Sequence, residues 1–281
     1  VSFRPLPLVS LVDLHKAYHA GVLGCRATVE VLRGVTLRVQ PGECVTVDAD
    51  AGGGKTTLLF CAAGMLRPDR GTVHWPALPP RAGRPPAGIA YAGDRAPPYA
   101  FLTVREALAY AATVRELHEP GVARDAESLL RVAALREVEA VRIGLLGRAH
   151  LARLAVATAL VSAPRLLLVD DLQGGADAAG RRSFAALLRR VADEGVGVLW
   201  AARALPAVDG AAAAYRLERG RLTRTALGAL PPLRLPRRTS DDQARPVELL
   251  PYQPDAAWPL RRAAAVREPA PGERDAAPRA D

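Results

Sequence analysis

The chain has 281 residues, 38 of them Lys or Arg and 29 Asp or Glu, for a net charge of +9. Of the cations only Lys16 and Lys55 are Lys, Asn is absent, and Ile occurs only at Ile89 and Ile143. All three residue types have AT-rich codons, so the basic balance reads as GC-rich coding and not as a nucleic-acid footprint. A hydrophobic fraction of 49% excludes a wholly disordered chain.

No uncharged apolar run reaches membrane-spanning length. The nearest, 196–215, is broken by Arg203, Pro206 and Asp209. Arg4, Pro5 and Pro7, followed by Asp13 and His15, interrupt any apolar leader, so no secretory leader is expected. Cys25, Cys44 and Cys61 are odd in number and lack CxxC spacing, which fits a reduced, cytosolic protein. The five His residues are dispersed and form no metal-ligand spacing.

In chain order, 35–39 alternates in period two, Pro41-Gly42 turns, and 44–47 is a second short strand. A glycine cluster precedes the helical run 56–65. Thr103-Val104-Arg105-Glu106 is a capping box opening a helix to about Leu117, and the Ala/Leu/Arg-rich stretch 123–141 predicts another. The apolar run 166–169 ends in Asp170-Asp171, the pattern of a strand buried on both faces, and 196–201 repeats it. Residues 215–217 and 222–225 flank Arg219-Gly220 as a hairpin. Strands alternating with helices predict an α/β domain with a largely parallel sheet.

The strongest local signal is Ala49-Asp50-Ala51-Gly52-Gly53-Gly54-Lys55-Thr56-Thr57, between a predicted strand and a predicted helix. Glycines let successive N–H groups converge on phosphate oxygens, and the helix N-terminus adds partial positive charge. In such a loop Lys55 reaches the β- and γ-phosphates and the Thr56 hydroxyl binds Mg²⁺. With only two Lys in the chain, one at the demanded position is informative. Ala49 replaces the first Gly of this motif, which costs strain if the backbone there needs a positive φ.

The order of landmarks identifies a family. Residues 8–227 resemble the ATP-binding cassette (ABC) ATPase domain: Tyr18, Pro41-Gly42-Glu43, the phosphate loop, Leu102–Glu106, the segment 159–171 and the closing hairpin arrive in the family's sequence. The resemblance implies a P-loop NTPase fold with a mostly parallel core sheet, an antiparallel N-terminal β portion and a small helical subdomain at about 100–160. It also implies Tyr18 stacking on adenine, and Gly52, Gly53, Gly54, Lys55, Thr56 and Thr57 around the phosphates of ATP. Asp170 would hold the water shell of Mg²⁺ that Thr56 also binds. Each ATP would sit between two cassettes in a homo- or heterodimer, and the domain would serve a separate membrane permease from the inner face of the cell membrane, with no nucleic-acid partner.

Against that template the catalytic positions depart. Asp171 stands where the family has a Glu that polarises water; one methylene less withdraws the carboxylate about 1.5 Å, and catalytic geometry loses ~10²-fold for about 1 Å. Asp94 replaces the family's Gln, and Arg203 replaces a His, where a permanently protonated guanidinium can touch a γ-phosphate but cannot shuttle a proton near neutral pH. Leu146-Gly147-Arg148-Ala149-His150 stands in place of Leu-Ser-Gly-Gly-Gln, and Asp177 matches the family's D-loop Asp. The expected function is an ATP-binding transporter subunit with weakened hydrolysis. The alternative is a nucleotide-sensing or structural pseudo-ATPase without a transport partner. Residues 228–281 hold 10 Pro, 9 Arg and 8 acidic residues and read as an unfolded tail after the 1–227 domain.

Overall fold

A computed structural model describes residues 5–20, 27–81, 85–93, 99–118, 124–172, 177–205 and 211–225. Asp94, Cys25, the segment 173–176 and the 228–281 tail lie outside the described residues.

The chain opens with two long strands, β1 (Val9–Ala20) and β2 (Ala27–Val39), paired antiparallel; β4 (Arg70–His74) joins the other edge of β1. This small sheet lies before and around the first parallel strand, β3 (Cys44–Asp48), and its helix α1 (Lys55–Ala62). The main sheet has six strands in the order β5-β6-β7-β3-β8-β9. It comprises β5 (Ile89–Gly93), β6 (Leu166–Asp170), β7 (Gly197–Ala202), β3 and β8 (Ala213–Glu218), all parallel, closed by antiparallel β9 (Arg221–Thr225).

Strands β3, β6 and β7 are buried throughout, as continuous apolar runs demand. Their side chains alternate between two cores. Leu167, Val169, Val198 and Trp200 face α2 (Val104–His118), α3 (Ala126–Val132), α4 (Arg148–Leu160) and α5 (Ala178–Asp193). Leu166, Leu168, Leu199, Val45 and Val47 face α1 and the antiparallel sheet. The architecture is thus α/β with a mostly parallel sheet, an antiparallel N-terminal portion and a helical portion, as the resemblance implies.

The capping box at α2 forms on both sides: the Thr103 N–H donates to Glu106 Oε2 at 2.8 Å, and the Glu106 N–H to Thr103 Oγ1 at 3.2 Å. The Arg219-Gly220 turn has φ of 49° and 79°, both positive, the geometry that suits a two-residue hairpin. One expectation is corrected. The stretch 123–141 is not one helix: α3 ends at Val132, Ala134 turns left-handed at φ 52°, and a single 3-10 turn follows at Arg136–Val138. The Leu135 N–H reaches Leu130 O and the Ala134 N–H reaches Arg131 O, a Schellman ending that places buried Leu135 against the helix. The first helix is also shorter than 56–65, ending before left-handed Gly64.

Candidate functional site

The parallel strands deliver their C-terminal ends to one edge of the sheet, where loops gather functional side chains. Beyond β3 the chain turns through Ala51–Gly54 and enters α1 at Lys55. Gly54 precedes the helix at φ 95°, and a Cβ there would stand 2.8 Å from Val31 Cγ1 and 3.1 Å from Val31 O. Both the sign of φ and the contact require glycine. Ala49, by contrast, is fully buried and not among the residues with positive φ, so the strain considered for it does not arise.

Lys55 is only 6% exposed, and its ammonium donates to Ala49 O at 3.2 Å and Asp50 O at 3.0 Å. It also stands 3.6 Å from Asp171 Oδ2. The Thr56 hydroxyl donates to Asp170 Oδ2 at 2.6 Å, and the Tyr91 hydroxyl from β5 donates to the same oxygen at 2.8 Å. The other oxygen, Asp170 Oδ1, is buried without a hydrogen-bond partner. A carboxylate oxygen left bare in the interior is costly, and a hydrated divalent cation beside it would relieve the cost. The donor set of Thr56 and Asp170 is all oxygen, which suits Mg²⁺.

Asp171 follows at φ 48°. Its N–H donates to Ala201 O at 2.8 Å, its Oδ1 accepts from the Arg203 N–H at 3.3 Å, and its Oδ2 lies 3.8 Å from Arg203 Nε. Strands β6 and β7 are neighbours, so their ends place Asp171 and Arg203 side by side. Tyr18 is 44% exposed on β1, with its hydroxyl 3.3 Å from Thr57 Oγ1, beside the start of α1. Gly52 has φ 72° and open space about it, while Gly53 turns back so that its N–H meets Asp50 O at 3.1 Å.

The segment 146–150 begins α4. Gly147 sits at its N-cap in an extended conformation with no side-chain cap, and nothing lies within 4 Å of where its Cβ would be. Asp177 caps α5, its Oδ1 accepting from the Gly180 N–H at 2.7 Å.

Sequence reasoning passed over two features of this edge. Tyr91, just before Asp94, is one, its hydroxyl bonding Asp170. Asp48, the last residue of β3, is buried with both oxygens bonded: Oδ1 accepts from the Ala204 N–H at 2.9 Å and Oδ2 from Arg216 Nη1. A charged residue closing an apolar strand was the available signal, but its partner is 168 residues away. Burial pushes the thiols of Cys44 and Cys61 up to about 12 and about 11, which makes them inert.

Among the described residues no helix is long and apolar enough to cross a membrane, and no cluster of His, Cys, Asp and Glu could hold a metal by itself. Residues 32–173, half of the chain, match the family model described as ABC transporter. The chain is 28% identical over 203 residues to the lipoprotein-releasing system ATP-binding protein LolD of Hyphomonas neptunium, covering 69% of this chain and 86% of LolD. It is 35% identical over 200 residues to the methionine import ATP-binding protein MetN of Thermobifida fusca, covering 65% of this chain but 57% of MetN. Its fold is similar to that of the ATP-binding cassette MJ0796, solved as a dimer in a post-hydrolysis state bound to ADP and Pi, with TM-score 0.62 and 19% identity over 79% of this chain and 100% of that one. The chain belongs to the ABC transporter family as one of its ATP-binding domains.

Proposed function

We propose that this chain binds MgATP between the phosphate loop and Asp170, pairs with a second cassette, drives a separate membrane permease from the inner face of the membrane, and hydrolyses ATP only weakly by itself. The observation that carries the reading is the contrast between the two adjacent carboxylates. Asp170 keeps a bare buried oxygen next to the Thr56 hydroxyl, whereas Asp171 is one methylene short and engaged by Lys55 and Arg203.

Lys55 would exchange the carbonyls of Ala49 and Asp50 for phosphate oxygens, with Gly52, Gly53, Gly54 and Thr57 lining the cradle and Tyr18 offering its ring to adenine. Thr56 and Asp170 would hold Mg²⁺, the carboxylate through the ion's water, and the bound ion would offset phosphate charge. Arg203 would orient Asp171 without relaying a proton, and Asp94 would approach the ion through water. The names of LolD and MetN, ATP-binding proteins of a release and an import system, support a transport role without fixing a cargo.

The test is turnover by the purified chain together with equilibrium binding of a fluorescent ATP analogue. Slow turnover with retained binding is expected, and Asp171→Glu should raise turnover, by up to ~10²-fold if reach alone limits it. Brisk native hydrolysis that disappears in Lys55→Ala would overturn the weak-hydrolysis reading. The Lys55–Asp171 ion pair also favours a second reading, a nucleotide-sensing or structural pseudo-ATPase without a permease. Analogue binding no tighter than millimolar would support a purely structural scaffold, and failure to co-purify with a neighbouring multi-span membrane protein would support a cassette without a permease.

A further inference from the structure

The phosphate loop carries an acid that its role does not call for. Asp50 lies in the loop itself, two residues before Gly52, with its side chain 80% exposed. A carboxylate in the loop that is to receive a triphosphate repels it, like charge against like charge. Asp48 adds a second negative charge just behind the loop.

One guanidinium answers both. Arg216 on β8 donates through Nη1 to Asp48 Oδ2 and through Nη2 to Asp50 Oδ2 at 2.9 Å. Strand β8 is parallel to β3 with Arg216 opposite Asp48, so the register of the sheet fixes the contact. Burial opposes the charge on Arg216, but its bond to Asp48 and the fields of Asp48, Asp50 and Glu218 hold its pKa above the ordinary arginine value. Asp48 Oδ1 meanwhile takes the Ala204 N–H, next to Arg203. The cluster thereby ties the loop after β3 to the turn after β7.

We propose that Arg216 is a positioning residue for the nucleotide site: it turns the Asp50 carboxylate aside and cancels its charge, leaving the loop's N–H groups to meet phosphate without a competing anion. This rests on the nucleotide-binding reading above. Charge-assisted paired bonds of this kind are among the stronger polar contacts, so the effect should be measurable.

The experiment measures a fluorescent ATP analogue with Mg²⁺ on the full chain. Arg216→Ala should weaken binding about tenfold. Asp50→Asn added to Arg216→Ala should regain most of that loss, although buried Asp48 stays without its guanidinium in both variants. A purely structural staple predicts no recovery. The inference is overturned if Arg216→Ala binds within about twofold of native, or if the second substitution recovers nothing. A native chain that does not bind at all defeats the nucleotide reading itself, a result distinct from native binding that Arg216→Ala leaves intact.

Discussion

The helices among the described residues begin in two different ways. α2, α3 and α5 open with side-chain caps: the reciprocal Thr103–Glu106 pair, Asp125 accepting from the Ser128 N–H at 2.8 Å, and Asp177 accepting from the Gly180 N–H. α1 and α4 open on Gly54 and Gly147, with no side-chain cap and no acidic residue in the first turn. A cap satisfies orphan N–H groups within the protein, and its absence leaves them for something else. The capped helices are finished structural parts. The two uncapped α-helices begin at the phosphate loop and at the segment 146–150, which the resemblance sets in place of the family's Leu-Ser-Gly-Gly-Gln. The chain has changed residues at the second place, yet has put no acid into the first turn there.

That contrast can be broken experimentally. The largest effect is expected for Lys55→Ala, which removes the only cation in the phosphate loop; analogue binding should fall ~10²-fold or more, read by titration. Thr103→Ala, at a capped helix, should instead leave the analogue affinity alone and cost about 1 kcal/mol of stability, a fall of a few degrees in Tm. The same variant should also blunt acid sensitivity. The Thr103 backbone and side-chain bonds hold the Glu106 carboxyl below its ordinary value of 4.5, so its contribution to stability is present above that pH and is lost as pH falls through the lowered value. Smallest of all is Gly147→Asp. The site has room for a side chain and an extended backbone, so a carboxylate cap should add a few tenths of a kcal/mol of stability and raise Tm slightly. If that helix faces phosphate in a dimer, the same change should slow whatever turnover is present; an unchanged rate would place the α4 N-terminus outside the reaction.

Legibility from the sequence followed the range of the interactions. The phosphate loop, the α2 cap, the two-faced strand ending in Asp170 and the hairpin at Arg219-Gly220 are all written within a few consecutive residues, and each is where local pattern puts it. β1 and β4 gave no comparable signal, because bulges in β1 disturb the alternation and the pairing spans more than fifty residues. The break after α3 was hidden because Ala134, not Gly, occupies the left-handed position, held there by Leu135 burying itself. The site divides the same way. The resemblance named Lys55, Thr56, Asp170 and Asp171, but the Tyr91 hydroxyl on Asp170 and the Arg216 bridge join residues 79 and more than 160 positions apart. No window along the chain contains such pairs.

The left-handed backbone at Asp171 restricts what this position can become. At φ 48° the residues that settle with least strain are Gly, Asn and Asp, while longer side chains meet a modest steric penalty. Asn would keep the turn and discard the charge; Glu would restore the reach and load the backbone. The present residue is a compromise between a relaxed chain and a reactive one, so any Asp171→Glu variant that gains turnover should also unfold at a lower temperature than the native protein.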